Sequence, residues 1–432
     1  MMKYVMAALL LCCAQVVAAQ IPNVMIDDGS KPGYPSCEPS IAISRANPQL
    51  IVAGAIIDKV YTSEDGGKTW AFSKLKGRYG AFGDPCIISD DQGRFYYFHL
   101  SDPTGLHWES EYNLDRIVCQ YSDNGHKWSK GAGIGYAHPK DQDKEWASVG
   151  PNGDIYVSWT EFDLYGSEDP EHKSRILFSK SENRGKKFCD PVVVSDHEGD
   201  CVDDDYTPQG VVPAIAHDGT IHLTWAWNDT IWYDYSTDDG ATWHTDRAAA
   251  TQPTGWSVHV GGLNRTNTFP ITLIDRSKGP HDGTLYVNYM DQRNGIEDTD
   301  NWLIKSADAG KTWSDPVRIN NDPAGKQQFL TWMAIDQKTG YLYSVFYDRR
   351  NYDDNQTDVV IAWSKDGGTT WENALLSETP FTPIATEFFG DYNNIDAHDN
   401  KIAVVWTRQD DGNDKVMAAV FTLEALEQLP RL

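Results

Sequence analysis

The sequence predicts an all-β propeller of four-stranded antiparallel blades, and two regularities in its 432 residues support this prediction. The first is a phrase of serine, Asp or Asn, glycine and an aromatic residue that returns six times, as in Ser236-Thr-Asp238-Asp-Gly240-Ala-Thr-Trp243. The second is a pair of apolar strand-like segments joined by a tight turn, which recurs between the copies. A short phrase that repeats along the chain is typical of architectures in which each unit packs against its neighbours.

Each copy of the phrase has the residues of a locked hairpin turn. The aspartate can accept hydrogen bonds from amides of its own turn, glycine adopts a positive φ, and the aromatic ring can pack on neighbouring strands. Four full copies begin at Ser63, Ser236, Ser306 and Ser364, and two degenerate copies begin at Ser122 and Ser181. The phrase resembles the Asp-box of the sialidase (neuraminidase) superfamily. This resemblance implies a propeller in which the box is structural and lies away from the active-site mouth.

The number of blades follows from what comes after the sixth copy. One more unit appears there, with strand segments around Ile395, Ile402–Trp406 and Val416–Val420, and it stops where a seventh box would begin. The N-terminal segment Asn23–Ile26 can supply the missing strand, which would join the chain ends and remove the sheet edges. We therefore expect seven blades closed by the N-terminal strand. Six blades, the number in the sialidases that the chain resembles, would result if the last unit packed outside the ring.

The first 19 residues have the pattern of a secretory signal peptide. Lys3 precedes an apolar run from Val5 to Leu11, and Val17-Ala-Ala19 is a suitable cleavage site before Gln20. Residues 20–432 are expected to form one propeller domain that is secreted or periplasmic. Lipoprotein anchoring at Cys12 or Cys13 is the less favoured alternative, because no small residue precedes them. No later segment has the length of a membrane span.

The net charge of −26 argues against nucleic acid or an anionic membrane as a partner, because both require a basic surface. An anionic ligand would have to be held by a local group of arginines. The five cysteines after residue 19 leave two alternatives: a disulfide between Cys189 and Cys201, or buried thiols throughout.

Residues at the channel mouth are expected on two sets of loops. The loops that lead into the first strands carry Glu38, Asp84, Asp143, Lys144, Glu145, Arg265, Glu387, Asp391 and Tyr392. The loops between second and third strands carry arginines in equivalent places of three consecutive blades, namely Arg293, Arg349 or Arg350, and Arg408. Together with Arg265 these could clamp an acidic sugar, as sialidases do, because guanidinium groups bind carboxylates bidentately. Alternatively, Arg293 and Arg350 brace their own loops through Asp291 and Asp348.

The sialidase resemblance also implies catalytic roles. It implies a tyrosine nucleophile with a glutamate that takes its proton, together with an aspartate as acid/base. On that basis we expect Tyr392 to be the nucleophile, Glu387 its partner and Asp84 the acid/base. The expected activity is a sialidase-like glycoside hydrolase acting on extracellular, acidic glycans.

Two other functions use the same scaffold. A polysaccharide lyase acting on uronate polymers would move protons with His99, His107, Tyr206 or Tyr392. A non-catalytic propeller would stack sugars on Trp146, Trp227 and Trp332. All three readings have carbohydrate as the ligand. No cofactor is expected, apart from Ca²⁺ at Asp203, Asp204 and Asp205, where a solvated acidic loop is the favoured alternative.

Overall fold

The computed structural model describes residues 19–410 and 412–432, so the predicted signal peptide lies outside the described residues except for Ala19. Within these residues, the strands form seven antiparallel sheets of four strands each. The innermost strands of successive sheets contact each other around a central axis. The predicted seven-bladed propeller is therefore confirmed, and the six-bladed alternative is wrong.

Six of the described blades are continuous in sequence, and each begins with its innermost strand. Blade 1 contains β2 (Ser40–Ile43), β3 (Ile51–Ala55), β4 (Lys59–Ser63) and β5 (Ala71–Lys74). Blade 2 contains β6 (Cys86–Ser89), β7 (Phe95–Leu100), β8 (Ile117–Ser122) and β9 (Ala132–Ile134). Blade 3 contains β10 (Asp141–Val149), β11 (Ile155–Phe162), β12 (Ser174–Ser181) and β13 (Val192–Val193). Blade 4 contains β14 (Gln209–Ile215), β15 (Ile221–Trp227), β16 (Thr230–Ser236) and β17 (Arg247–Thr251). Blade 5 contains β18 (Ile271–Ile274), β19 (Leu285–Asp291), β20 (Asp300–Ser306) and β21 (Val317–Arg318). Blade 6 contains β22 (Gln328–Asp336), β23 (Tyr341–Asp348), β24 (Asp358–Ser364) and β25 (Glu372–Leu375).

Blade 7 combines both ends of the chain. It contains β26 (Asn394–His398), β27 (Lys401–Asp410), β28 (Asn413–Thr422) and, as its outermost strand, β1 (Val24–Asp27). Val24 pairs with Ala418 and Met25 with Met417 in antiparallel register. The predicted closure by the N-terminal strand is thus confirmed. A helix, α1 (Leu423–Glu427), follows blade 7, and none of the described helices has the length and apolar character to cross a membrane.

The Asp-box turns lie between the third and fourth strands of their blades and are held by the predicted hydrogen bonds. In blade 4, Ser236 Oγ donates to Asp238 Oδ1 at 2.8 Å, and the Gly240 amide donates to Ser236 Oγ at 2.9 Å. The Thr242 amide and hydroxyl donate to the two carboxylate oxygens of Asp238 at 2.9 and 2.6 Å. These bonds lower the pKa of Asp238 to about 2, with the Thr242 hydroxyl as the largest cause.

Each box also joins its blade to the preceding one. A Cβ atom at Gly240, where φ is +82°, would lie 2.2 Å from the ring of Phe178 on β12, so only glycine fits there. Trp243 of the same box packs edge-on against Phe178 with ring centroids 5.2 Å apart. Trp313 packs in the same way against Tyr233 of blade 4 at 5.4 Å. The repeated phrase therefore stabilises the contacts between blades as well as the turn.

The cysteines do not form the predicted disulfide. All five described cysteines are free thiols; Cys189 is exposed and the others are buried. The Cys189 amide donates a hydrogen bond to the Lys180 carbonyl, near the last residue of β12. Cys201 follows Asp200, whose carbonyl accepts a hydrogen bond from the hydroxyl of Ser174, the first residue of that strand. Strands rise ~3.3 Å per residue, so the two thiols lie near opposite ends of an eight-residue strand and cannot be bridged. The buried-thiol alternative holds for four of the five.

Candidate active site

The site begins with an unusual backbone feature at the start of the innermost strands. Five of these strands are preceded or interrupted by a residue with positive φ, namely Glu38, Asp84, Lys144, Gly210 and Leu330. In each case pairing with the second strand begins or resumes two positions later, as at Trp146 and Ser158 after Lys144, where the register shifts. A positive φ is unfavourable for residues other than glycine, and such strain concentrates at functional sites.

Lys144 is the centre of the side chains that these strands bring together. Its ammonium lies 2.7 Å from Asp84 Oδ2, 3.0 Å from Asp391 Oδ2 and 3.9 Å from Asp143 Oδ1. The Lys144 side chain is only 7% exposed. Three blades therefore meet at this ammonium. The wider group, which we call the channel cluster, comes from the segments that lead into six blades and is defined as Glu38, Asp84, Asp143, Lys144, Glu145, Asp203, Arg265 and Asp391.

Arg265 is the most exposed side chain of the cluster's central ion pairs. Its Nη2 lies 3.0 Å from Asp391 Oδ2 and its Nη1 lies 3.0 Å from Asp203 Oδ2, while 28% of the side chain is exposed. Asp203 also accepts hydrogen bonds from the Tyr165 hydroxyl and the Gln209 amide, each at 2.7 Å. The cluster thus runs from the buried Lys144 ammonium to a partly exposed guanidinium.

The carboxyl groups of the cluster differ in their protonation. Burial raises the pKa of Asp143 to about 7, with Lys144 opposing the shift and Asp84 reinforcing it. Burial also raises the pKa values of Glu38 and Glu145 well above their usual range. Burial would raise the pKa of Asp391 as well, but Arg265 and Lys144 outweigh it and hold the value below normal. Protonated and ionised carboxyl groups therefore stand side by side at neutral pH, as in sites that perform acid/base catalysis.

Among the described residues at the cluster, the Tyr392 hydroxyl and the Glu145 carboxyl group have neither a hydrogen-bond nor an ion-pair partner, and both residues are almost fully buried. The Asp391 carboxylate is held by ion pairs with Lys144 and Arg265. The Tyr392 ring packs against Trp146 with centroids 4.9 Å apart. Burial raises the Tyr392 pKa well above its usual value, and the nearby Asp84 and Glu38 raise it further. Unpaired buried polar groups are rare in folded proteins and mark this place as specialised.

Comparison with known proteins agrees with this architecture. Residues 153–413 match the model of the BNR repeat-like domain family. The chain belongs to this family. A Paenibacillus xyloglucanase is 25% identical over 320 residues, which cover 72% of this chain and 23% of that protein. The chain therefore spans less than a quarter of the length of this curated relative.

Solved structures share the fold of this BNR propeller. A polysaccharide lyase of family PL25, an ulvan lyase, superposes with a TM-score of 0.53 and 12% identity over 95% of this chain and 100% of that chain. The NanB sialidase of Streptococcus pneumoniae gives 0.50 and 10% over 87% and 83%. A Dyadobacter fermentans protein of unknown function gives 0.52 and 12% over 93% and 98%. At these identities the similarity shows the sialidase-like fold alone.

The structure brings some of the sequence-predicted catalytic residues of the BNR propeller together. Asp84 and Tyr392 both lie at the channel cluster. Glu387 does not join them: it is exposed and lines a small cavity beside Tyr34. Burial raises the pKa of Asp414 in the same cavity, and the charge of Glu387 adds to this rise. Among the described residues, no contact links Glu387 to Tyr392. The carboxyl groups that influence the phenol are instead those of the channel cluster.

The predicted arginine clamp is not assembled in the described structure. Arg293 Nη2 pairs with Asp291 at 2.6 Å, and its guanidinium lies 4.4 Å from the Trp302 ring centroid on the third strand of its blade. Arg350 Nη2 pairs with Asp348 at 2.7 Å and also donates to Asn373 on the fourth strand. These contacts match the loop-bracing alternative.

The remaining two arginines are held by nearby residues and by carbonyls of other loops. Arg408 donates to both carboxylate oxygens of Asp410 and to the Thr379 carbonyl. Arg349 is buried and donates to the Gly261 carbonyl and the Thr357 hydroxyl; burial lowers its pKa to about 10. Of the five predicted arginines, only Arg265 reaches the channel cluster among the described residues.

The residues suggested for the alternative functions lie in varied surroundings. His99 is fully buried, bonds to the Leu100 carbonyl and Gln120, and has a pKa lowered to about 4 by burial, which suits a structural role. His107 Nδ1 lies 2.9 Å from Asp102 Oδ2 in the loop between β7 and β8. Tyr206 is exposed.

The acidic loop at residues 203–205 already has partners. Asp203 contacts Arg265 and Tyr165, and Asp205 accepts hydrogen bonds from the amides of Asp229 and Trp256. Within the part of the chain that the structure describes, no group of three or more His, Cys, Asp or Glu side chains is placed to hold a metal ion.

Proposed function

We propose that this BNR propeller is a secreted glycoside hydrolase that acts on an extracellular glycan at the channel cluster. The observation that carries the proposal is the bridge formed by Lys144, whose ammonium holds oxygens of Asp84 and Asp391 at 2.7 and 3.0 Å. The two oxygens therefore lie within about 6 Å of each other, so an acid/base at Asp84 and an anionic Asp391 can face the same glycosidic bond. The similar proteins, a xyloglucanase, a sialidase and an ulvan lyase, are all named for activity on glycans.

Asp84 is the proposed acid/base of the reaction. Its side chain retains some exposure, whereas that of Asp391 has none. Asp143 shares the Lys144 ammonium and has a pKa of about 7, so it supplies a proton to the pair at neutral pH. Asp391 stays ionised through Arg265 and Lys144, and its negative charge favours an oxocarbenium-like transition state.

Tyr392 is the proposed nucleophile, as the sialidase resemblance implies. Its phenol requires an ionised base, and Asp391, whose pKa is held below normal and whose charge acts on the phenol, suits this role better than the exposed Glu387. The phenol is buried beneath Trp146, so a substrate must displace or reorient that ring to reach it.

The test is product release by the purified mature protein from three substrates: xyloglucan, a fluorogenic sialoside and a uronate-containing polysaccharide. We expect new reducing ends or free fluorophore, reduced by about 10²-fold or more in Asp84→Asn and Tyr392→Phe. Asp90→Asn is the matched control, because it breaks a buried pair with Arg184 outside the cluster. Unsaturated uronate as the product would assign the protein to the lyases. Absence of any product from all three substrates would refute the hydrolase.

A further inference from the structure

A second cavity lies on the same face as the channel cluster, above blades 1 and 2. It has a volume of about 590 Å³, and its lining includes Tyr34, Asp58, Lys74, Asp102 and His107. We call it the aromatic groove. It is formed by the segment before β2, the loop between β3 and β4, the segment between β5 and β6, and the loop between β7 and β8. Two of these segments also carry cluster residues, namely Glu38 and Asp84.

Aromatic rings connect the groove to the channel cluster without a break. Tyr34 contacts His107 with ring centroids 5.2 Å apart, and His107 contacts Phe82 at 5.5 Å. Phe82 contacts Trp108 at 5.0 Å, and Trp108 stacks on Tyr165 at 5.7 Å. The arc ends at the cluster itself, because the Tyr165 hydroxyl donates to Asp203.

The outer rings of this arc are unusually exposed. Tyr34 is 49% exposed and Trp108 is 64% exposed, although large aromatic side chains are normally covered. Exposed rings beside a cavity offer flat apolar faces, and the C–H faces of pyranose rings are a suitable match for them.

The lysine that lines the groove is paired, because Lys74 lies 3.1 Å from Asp58. The Asp102 carboxylate accepts hydrogen bonds from the Gly105 and His107 amides at 2.9 and 3.1 Å. On a chain with a net charge of −26, this leaves a lining rich in hydrogen-bonding groups but without an unpaired lysine or arginine among its described residues. Such a lining suits hydroxyl groups better than carboxylates or sulfates.

The position of Tyr34 is fixed from below. The Lys59 ammonium donates to the Tyr34 carbonyl at 2.9 Å and pairs with Asp27 at 3.5 Å. Both charged side chains are buried, at 1% and 0% exposure. A ring presented from an anchored backbone loses little conformational freedom when a ligand binds.

We propose that the aromatic groove is a subsite for neutral pyranose units of a glycan chain. This inference rests on the proposed hydrolase and adds its substrate class: a chain that extends for several sugars from the bond at the cluster, rather than a single terminal sugar. The neutral units stack on Tyr34 and Trp108 while the paired polar groups of the groove hold their hydroxyls.

The test measures binding separately from catalysis, by ligand-observed NMR with xyloglucan oligosaccharides and cellotetraose as probes. We expect Tyr34→Ala and Trp108→Ala each to raise the Kd by about tenfold, within the range of lost aromatic contacts. Tyr136→Ala is the control, because Tyr136 is 57% exposed but neither lines the groove nor belongs to the aromatic arc; its Kd should stay within about twofold of wild type. Unchanged melting temperatures verify the fold of each variant.

Three results would overturn the subsite. They are the absence of binding by either neutral probe at millimolar concentration, equal affinity of the wild type and the Tyr34→Ala and Trp108→Ala variants, and tighter binding of a uronate tetrasaccharide than of the neutral probes. Failure of the hydrolase is distinguished from failure of the subsite, because binding that depends on Tyr34 without any product from wild-type protein would retain the groove and refute the catalytic proposal. Loss of hydrolysis in Asp84→Asn with retained binding would support both.

Discussion

Replacing Lys144 with methionine should strongly destabilise the protein. The ammonium is buried and compensates Asp84, Asp391 and Asp143 at 2.7, 3.0 and 3.9 Å. Methionine fills a similar volume but leaves these carboxylates without their shared cation. Removing one partner of a buried ion pair typically lowers the free energy of unfolding by about 3–5 kcal/mol. We expect a loss in this range at neutral pH, measured by urea unfolding followed through tryptophan fluorescence.

The loss should depend on pH in a defined direction. In the wild type, the lowered pKa of Asp391 contributes stability above the unfolded pKa, and this contribution is lost as pH falls through the folded value. In Lys144→Met, the uncompensated carboxyl groups acquire raised pKa values and destabilise the fold most when pH is high. The effect in the variant makes the difference from wild type larger near about pH 7 than near about pH 5, whereas the Asp391 contribution in the wild type is lost only below its unfolded pKa of about 3.9.

A neighbouring lysine provides the matched control. Lys140 pairs with Glu161 at 2.9 Å and Asp163 at 3.1 Å, but its side chain is more than one-third exposed. Lys140→Met should therefore lower the free energy of unfolding by no more than about 1 kcal/mol. A comparably small loss in Lys144→Met, or a loss that does not change with pH, would refute the role assigned to Lys144.

Three further predictions concern other parts of the molecule. Arg350→Ala removes the ion pair with Asp348 and should lower the free energy of unfolding by about 3–5 kcal/mol, while the KM for substrate stays unchanged. A raised KM with unchanged stability would instead support the arginine clamp. The hydrolysis rate should fall as pH rises through about 7, because Asp143 loses its proton there, and a pH–rate profile of Asp143→Asn should lack this limb. In the folded protein, thiol labelling read by mass spectrometry should modify Cys189 alone among the five described cysteines, and early labelling of a buried thiol would contradict the structure.

The blades could be predicted because their signals are short in sequence. In the Asp-box, the serine, aspartate, glycine and threonine that bond to one another lie within seven residues, from Ser236 to Thr242. Such bonds form wherever the chain turns, so the phrase identifies the turn without knowledge of distant residues. The alternating apolar strands on either side then define the blade. Because the last repeat lacks its fourth strand, the N-terminal segment that forms β1 could be predicted to complete it and close the ring.

The arginines show that equivalent positions in the repeat were not enough to predict a shared ligand-binding role. Arg293, Arg350 and Arg408 do occupy equivalent loops, but a nearby aspartate accompanies each of them: Asp291 and Asp348 two residues before, and Asp410 two residues after. The guanidinium groups are therefore bound within their own loops. A carboxylate two residues away was the signal in the sequence that favoured bracing over ligand binding.

The sequence alone determined the repeat, the strands, the closure of the ring and the loops that face its mouth, because each depends on hydrogen bonds and periodicity within a few residues. Only the tertiary structure decided which of those mouth residues meet. Asp84 and Lys144 are 60 residues apart, and Arg265 and Asp391 come from different blades again. Their contacts exist because ring closure brings the innermost strands to one axis, and the burial that results sets the pKa values on which the proposed chemistry depends.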